Sequence, residues 1–131
     1  LEKSLRPKQM SFQINVDQQL DTESILVPPL IIQPIVENAI KYGLDSSRTD
    51  NKILVSVNHI DKYIHIVISD SGSGSTNGKF QSKSSKGLNI TKQRIQSWSS
   101  THGMTGELVP IISPTGGPSE VLIKIPLVNR F

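Results

Sequence analysis

Apolar and polar residues alternate along Ser11-Phe12-Gln13-Ile14-Asn15-Val16-Asp17, the period of a half-buried strand. Residues 17–24 are polar and turn-like, and Ile25-Leu26-Val27-Pro28-Pro29 leads toward a helix. From residue 29 to Gly43 the period changes to that of a helix. Ile32, Ile35, Val36, Ala39 and Ile40 fall on one arc, and Gln33, Glu37, Asn38, Lys41 and Tyr42 on the other. Pro29 suits the first turn, where no N–H is needed, and Gly43 the stop. Residues 45–51 read as a loop. Residues 52–59 and 63–69 then alternate (Ile53, Val55, Val57; Ile64, Ile66, Ile68) around Asp61-Lys62, which predicts an antiparallel hairpin. A polar Ser/Lys/Gly-rich loop follows to Lys86. Residues 87–98 predict a second helix with Leu88, Thr91, Ile95 and Trp98 as its inner stripe, ending at Thr101-His102-Gly103. Strands at 107–112 and 120–127, joined by a turn at 114–118, close the chain. No internal repeat is present. Helices inserted between mostly antiparallel strands predict an α+β fold of two layers.

Composition narrows the function classes. A length of 131 residues suits one domain, and the absence of cysteine removes disulfides and thiolate metal sites. A net charge of +3 from scattered lysines, with a single Trp, argues against a nucleic-acid partner, which calls for a tighter basic stripe or stacking rings. Pro28, Pro29, Gln33, Pro34 and Glu37 interrupt the best apolar run, so no stretch of about 20 apolar residues forms a membrane span. The opening Leu1-Glu2-Lys3-Ser4, with no Met, reads as the cut end of a longer protein. Residues 1–9 are then a linker from an upstream region and residues 10–131 a single domain.

Three groups of residues carry candidate chemistry. The polar arc of the first helix gathers a carboxylate, two amides, an ammonium and a phenol, more than a solvated face usually holds. Asp70-Ser71-Gly72-Ser73-Gly74 follows directly on an apolar strand. There a carboxylate can accept from an exocyclic amine while the glycines let a flat ring approach the backbone. An ordinary strand-exit turn uses the same residue types. The spacing is not that of a dinucleotide-binding fingerprint, and no phosphate loop of the Walker type is present. Ser85-Lys86-Gly87-Leu88 stands where the polar loop becomes a helix, a setting for anions with Lys79, Lys83 and Lys86 nearby, or simply a solvated basic loop. His59, His65 and His102 read as structural or solvated histidines.

Taken in order, these groups resemble the GHKL ATPase superfamily, which includes gyrase, the heat-shock chaperone, MutL and the histidine kinases. The closer resemblance is to the catalytic ATP-binding domain of LytS-type sensor histidine kinases. The run Pro29-Leu30-Ile31-Ile32-Gln33-Pro34-Ile35-Val36-Glu37-Asn38-Ala39-Ile40-Lys41-Tyr42-Gly43 matches that family's N box nearly residue for residue. Asp70-Ser71-Gly72-Ser73-Gly74 matches its first glycine box, and Lys86-Gly87-Leu88 through Arg94-Ile95 the second more loosely. The resemblance implies a two-layer α/β sandwich of the Bergerat type, with a mixed, mostly antiparallel sheet and helices on one face. It implies that ATP and Mg²⁺ are bound, with Asn38 ligating the metal through its amide oxygen. Lys41 and Tyr42 would face phosphate and ribose. Asp70 would accept the adenine amino group, with Gly72 and Gly74 giving the ring room. Residues 75–86 would be a lid over the nucleotide, Gly87 would offer its N–H to phosphate beside Lys86 and Leu88, and Ser119 would stand near adenine. Such a domain positions Mg·ATP for in-line transfer of the γ-phosphoryl group to a histidine.

The sequence departs from the family pattern at Ser85, which replaces a glycine of the second box, and at Pro34, where many of these ATPases have a water-activating Glu. Glu37, adjacent to Asn38, is left as the base or orienting group. None of the three histidines has the family's acceptor setting, so the phosphoacceptor is expected in dimerisation helices upstream of Leu1. The partners implied are those helices and a response regulator, in a membrane-anchored homodimeric parent with this domain on the cytoplasmic side. The alternatives are a nucleotide-sensing pseudokinase, to which Ser85 points, and another GHKL ATPase or serine kinase.

Overall fold

The computed structural model describes residues 10–28, 30–40, 50–70, 79–111 and 120–129, with the side chains of 79–87 and 111 set aside. Five strands form one sheet: β1 (Met10–Val16), β3 (Asn51–Ile60), β4 (Tyr63–Asp70), β6 (Glu120–Pro126) and β5 (Glu107–Ile111), in that spatial order. β1 runs parallel to β3, and the other three pairings are antiparallel. The sheet is therefore mixed and mostly antiparallel. Two helices are described, α1 (Gln33–Asn38) and α2 (Lys79–Thr101). They pack against each other, and α2 against β5 and β6. A two-stranded pair of β2 (Ile25–Leu26) and β7 (Val128–Asn129) lies apart from the main sheet.

One face of the sheet makes the core. Ile53 and Val55 of β3, Ile64, Ile66 and Ile68 of β4, Val121, Ile123 and Ile125 of β6 and Leu108 of β5 are buried together with Ile31, Ile35, Ala39, Leu88 and Ile95. The intervening residues, such as Leu54, His65, Val67 and Lys124, are half-buried on the other face. That alternation is what period-2 patterning predicts for a sheet covered on one side. The hairpin forms as expected: Ile60 pairs with Tyr63, and Asp61 takes a left-handed φ of 56°, which a short polar side chain tolerates. Pro110 sits in β5, an edge strand, where a missing N–H is tolerated.

Helix α2 ends as its glycine predicts. Gly103 takes φ of 69°, Met104 N–H donates to Ser99 O at 3.1 Å and Gly103 N–H to Ser100 O at 2.9 Å. This is the paired closure of a helix by a left-handed C′ residue. The predicted turn after β1 is held by Asp17, whose carboxylate accepts from Gln19 N–H at 3.0 Å and His59 N–H at 3.3 Å.

Four expectations are corrected. The first helix does not begin near Pro29: Leu30 has a left-handed φ of 58°, and α1 starts at Gln33 with Pro34 in its first turn. Gly43, its expected stop, lies outside the described residues. The second helix begins at Lys79, well before Gly87, because the Lys-, Gln- and Ser-rich segment preceding that glycine contains no helix breaker. Strand β3 begins at Asn51, which the pattern assigned to a loop. Finally, β1 is exposed throughout rather than half-buried, and it stands at the edge of the sheet.

Candidate functional site

The site expected from sequence is spread over α1, the end of β4 and α2, and the described part of it lies on the helix-covered side of the sheet. On α1, Ile35 and Ala39 are buried, and Ile32, Val36 and Ile40 pack against the core. This orientation leaves Gln33 and Glu37 exposed, one turn apart, with Gln33 Nε2 donating to Glu37 Oε1 at 3.0 Å. Asn38 is half-buried, on the flank between that exposed pair and the core. The segment that enters α1 is tied to the second helix by Arg94, whose Nη1 approaches the Leu30 carbonyl oxygen at 3.5 Å.

Asp70 is the last residue of β4 and is only 4 % exposed. Alternation along β4 puts it on the same face as Ile64, Ile66 and Ile68, so its carboxylate is turned into the helix side of the sheet. Burying a carboxylate requires polar partners, and Asp70 is engaged in such an interaction. A turn residue has no reason to be buried to this extent. Leu88 is buried at 8 % and Thr91 at 1 % on the inner stripe of α2, as predicted.

The helix carries Lys86 and Gly87 within it rather than at its start, so in this conformation the Gly87 N–H is not one of the free N–H groups of a first turn. Lys41, Tyr42, Gly72, Gly74 and Ser119 lie outside the described residues, as do residues 75–78 of the expected lid; from Lys79 onward that segment is helix. Among the described residues there is no group of three or more His, Asp or Glu side chains arranged to hold a metal ion.

Asn51 escaped the sequence reading. It is 1 % exposed at the start of β3 and aligned in period with Ile53 and Val55. The signal that finds it is continuity of the alternation one step back from Ile53.

The opposite end of β4 is different. An open cleft of about 580 Å³ is lined by Ile60, Asp61, Lys62, Tyr63, His65 and Lys124. Lys124 Nζ lies 4.2 Å from the centre of the Tyr63 ring. None of the residues expected to bind a ligand lines this cleft. The other two histidines have local contacts: His59 Nε2 lies 2.7 Å from the Asp61 carbonyl oxygen, and His102 stacks on Trp98 with ring centres 4.6 Å apart.

Comparison with known proteins bears on this arrangement. No protein-family profile matches the chain. Its sequence is 35 % identical over 74 residues to the sensor protein LytS of Staphylococcus haemolyticus, covering 56 % of this chain and 12 % of that protein. It is also 35 % identical over 80 residues to the sensor histidine kinase/phosphatase LytS of Staphylococcus aureus, covering 60 % and 13 %. The chain therefore spans about an eighth of the length of these curated relatives. In structure it is similar to the histidine kinase domain of the blue-light activated kinase EL346 from Erythrobacter litoralis, with a TM-score of 0.63 at 17 % identity, covering 90 % of this chain and 55 % of that one. The catalytic domain of the histidine kinase ThkA gives 0.60 at 14 % identity, covering 95 % and 83 %. The chain is a homologue of LytS-type sensor kinases over part of its length, and its α+β fold is that of histidine kinase catalytic domains.

Proposed function

We propose that this chain is the ATP-binding catalytic domain of a two-component sensor histidine kinase. In this reading it holds Mg·ATP so that the γ-phosphoryl group reaches a histidine on helices upstream of Leu1. The observation that carries the reading is the buried carboxylate of Asp70 at the end of β4, on the same side of the sheet as Asn38 of the N-box helix. A carboxylate in low dielectric is an acceptor for an exocyclic amine, and its desolvation makes the pairing selective. The residues present also suit Mg²⁺. The half-buried Asn38 offers one hard amide oxygen as a ligand. That suits a cation that keeps most of its waters and takes substrate phosphates. When bound, the metal partly neutralises phosphate charge.

The chain's own work in this account is positional. Asp70 fixes the base, Asn38 the metal end, and the wall formed by Leu88 and the core isoleucines excludes water from the base. Glu37 is the base or orienting group of this reading, and its exposure and its hydrogen bond from Gln33 favour the orienting role. Lys41, Tyr42, Gly72, Gly74, Lys86, Gly87 and Ser119 complete the proposed site. The partners proposed for the parent protein are its dimerisation helices and a response regulator. Among the described residues no helix is long and apolar enough to cross a membrane, and the proposed place of the domain is the cytoplasmic side of an anchored dimer.

The test is thermal unfolding with and without millimolar Mg·ATP. Ligand at about 100 times its dissociation constant stabilises by about 2.7 kcal/mol, a rise of several degrees in Tm for a domain of this size. The wild type is expected to show this rise, with Asp70→Asn and Asn38→Ala losing most of it. No shift in the wild type would sink the reading. Labelled phosphate appearing on a histidine in a longer chain that includes upstream residues separates a kinase from a nucleotide sensor.

A further inference from the structure

β1 is a seven-residue edge strand with no charged residue, glycine or proline between Met10 and Val16. Sheets ordinarily blunt an open edge with charge, proline or a bulge. The opposite edge does so, since β5 carries Glu107 and Pro110. Along β1, Phe12 pairs with Ile53 and Ile14 with Val55, both core residues, so Met10, Phe12, Ile14 and Val16 project on the core face of the sheet. They are nevertheless 36, 46, 57 and 39 % exposed. Ser11, Gln13 and Asn15 occupy the other face, where Gln13 Nε2 donates to Asn15 Oδ1 at 3.0 Å. The backbone has a direction too. Asp17 N–H donates to Val57 O at 2.8 Å, so the odd-numbered residues turn their N–H and C=O groups toward β3. By alternation the groups of Met10, Phe12, Ile14 and Val16 turn outward, to the open side of the strand.

We propose that this edge is a pairing surface for a second copy of the chain, the two β1 strands joining antiparallel about a two-fold axis at Gln13. The strand is its own complement in that register. Met10 stands opposite the partner's Val16 and Phe12 opposite the partner's Ile14, apolar against apolar. Gln13 meets the partner's Gln13, and Ser11 the partner's Asn15, on the polar face. The outward backbone groups are opposed at every apolar pair, which allows about eight inter-strand hydrogen bonds. No charges meet, because the strand has none. Each edge consumes the other, so association stops at a dimer. Area sets its strength. At their observed exposures the four apolar side chains leave on the order of 300 Å² on each copy, taking roughly 150–250 Å² for a large side chain laid fully open. Two such strips and the backbone between them bury less than about 1,200 Å², the class of weak, reversible interfaces. A dissociation constant of about 10 µM to 1 mM is expected. Two copies tethered in one parent by short linkers reach millimolar effective concentration, enough to fill such an edge. The pairing rests on β1 alone and is independent of the nucleotide reading.

Sedimentation equilibrium of the wild type between about 10 µM and 1 mM is expected to show monomer and dimer in exchange. Ile14→Lys puts charge into the apolar strip, and Ile14→Pro removes an outward N–H while leaving the bonds to β3 in place. Each should weaken dimerisation about tenfold or more, with folding checked by circular dichroism. Val109→Lys, at a 42 % exposed position on β5, should leave it unchanged. The chain has no cysteine, so the register can be read by cross-linking. Gln13→Cys sets two thiols across the axis at the Cα separation of about 4.5 Å of a non-hydrogen-bonded pair, within disulfide reach. It should oxidise to a covalent dimer. Ser11→Cys, opposite the partner's Asn15 and far from its own counterpart, should not. Both cysteine positions are exposed on the polar face, so the test stands even if the Ile14 variants do not fold. A monomer throughout this range, growth beyond a dimer, a dimer indifferent to the Ile14 changes in folded variants, or equal cross-linking at positions 11 and 13 would overturn the proposal.

Discussion

Replacing Gly106 by alanine tests the packing of α2 on the sheet. Gly106 is buried just before β5. A Cβ there meets Ile95 Cγ2 at 2.8 Å and Ser99 Cβ at 3.1 Å, and comes closer still to Ser99 Oγ. Ordinary contact begins near 3.4 Å. Both neighbours are 0 % exposed, so neither has free space to move into. Ser99 is further pinned because its Oγ donates to the Ile95 carbonyl oxygen at 2.6 Å. Overpacking of this kind costs about 1–3 kcal/mol. Turning the hydroxyl away adds about 1–3 kcal/mol for a buried group left unpaired. Stiffening of the unfolded chain returns about 0.4–1 kcal/mol. The expected net is a destabilisation of about 2–4 kcal/mol. Urea unfolding at 25 °C reads this as a lower midpoint with an unchanged slope. In a double-mutant cycle Ser99→Ala should recover part of the loss, coupling by about 1 kcal/mol. Gly103→Ala is the control. That site has φ of 69° and nothing within 4 Å, so its cost of about 1 kcal/mol is backbone strain that Ser99→Ala leaves untouched. A Gly106→Ala variant within 0.5 kcal/mol of wild type, or one showing no coupling to Ser99, would refute the reasoning.

Two further outcomes follow from named residues. The Asp17 carboxyl is held below the usual carboxylate range, chiefly by the Gln19 N–H and then by the His59 N–H. Its folded value being depressed, the stability it contributes is present above the unfolded value and is lost as pH falls through the folded one, below about 4. Acid unfolding of wild type against Asp17→Asn should therefore differ at pH 6 and converge toward pH 2; a constant difference would contradict the assignment. Gly87 lies inside α2, so Gly87→Ala should stabilise the ligand-free protein by about 1 kcal/mol. If nucleotide binding requires that helix to open at Gly87, the same change weakens Mg·ATP binding about fivefold; an unchanged affinity on calorimetric titration would place the phosphates elsewhere.

Much of this architecture is legible in the sequence because the strands alternate so regularly. Ile64, Ile66 and Ile68 declare the face of β4, and the same period carries to Asp70, whose burial is the strongest physical mark of the site. The arc of α1 was readable for the same reason, since Ile35 and Ala39 could only face the core. Three things were not. The exposure of β1 goes with its place at the edge of the sheet, which is tertiary information that alternation within one strand does not contain. The pairing of Ile25–Leu26 with Val128–Asn129 joins segments too short to carry a period and far apart in the chain. Asn51 was hidden because an asparagine beside Asp50 looks like loop chemistry, and only its register with Ile53 shows otherwise.

The central claim, that Asp70 and the N-box helix form the floor of a nucleotide site, is tested most directly by mapping backbone amide shifts on adding Mg·ATP. The account predicts the largest changes at Glu37, Asn38 and Asp70, with the hairpin end of β4 unaffected. Changes centred instead on Lys62, Tyr63, His65 and Lys124, or none at millimolar Mg·ATP, would contradict it.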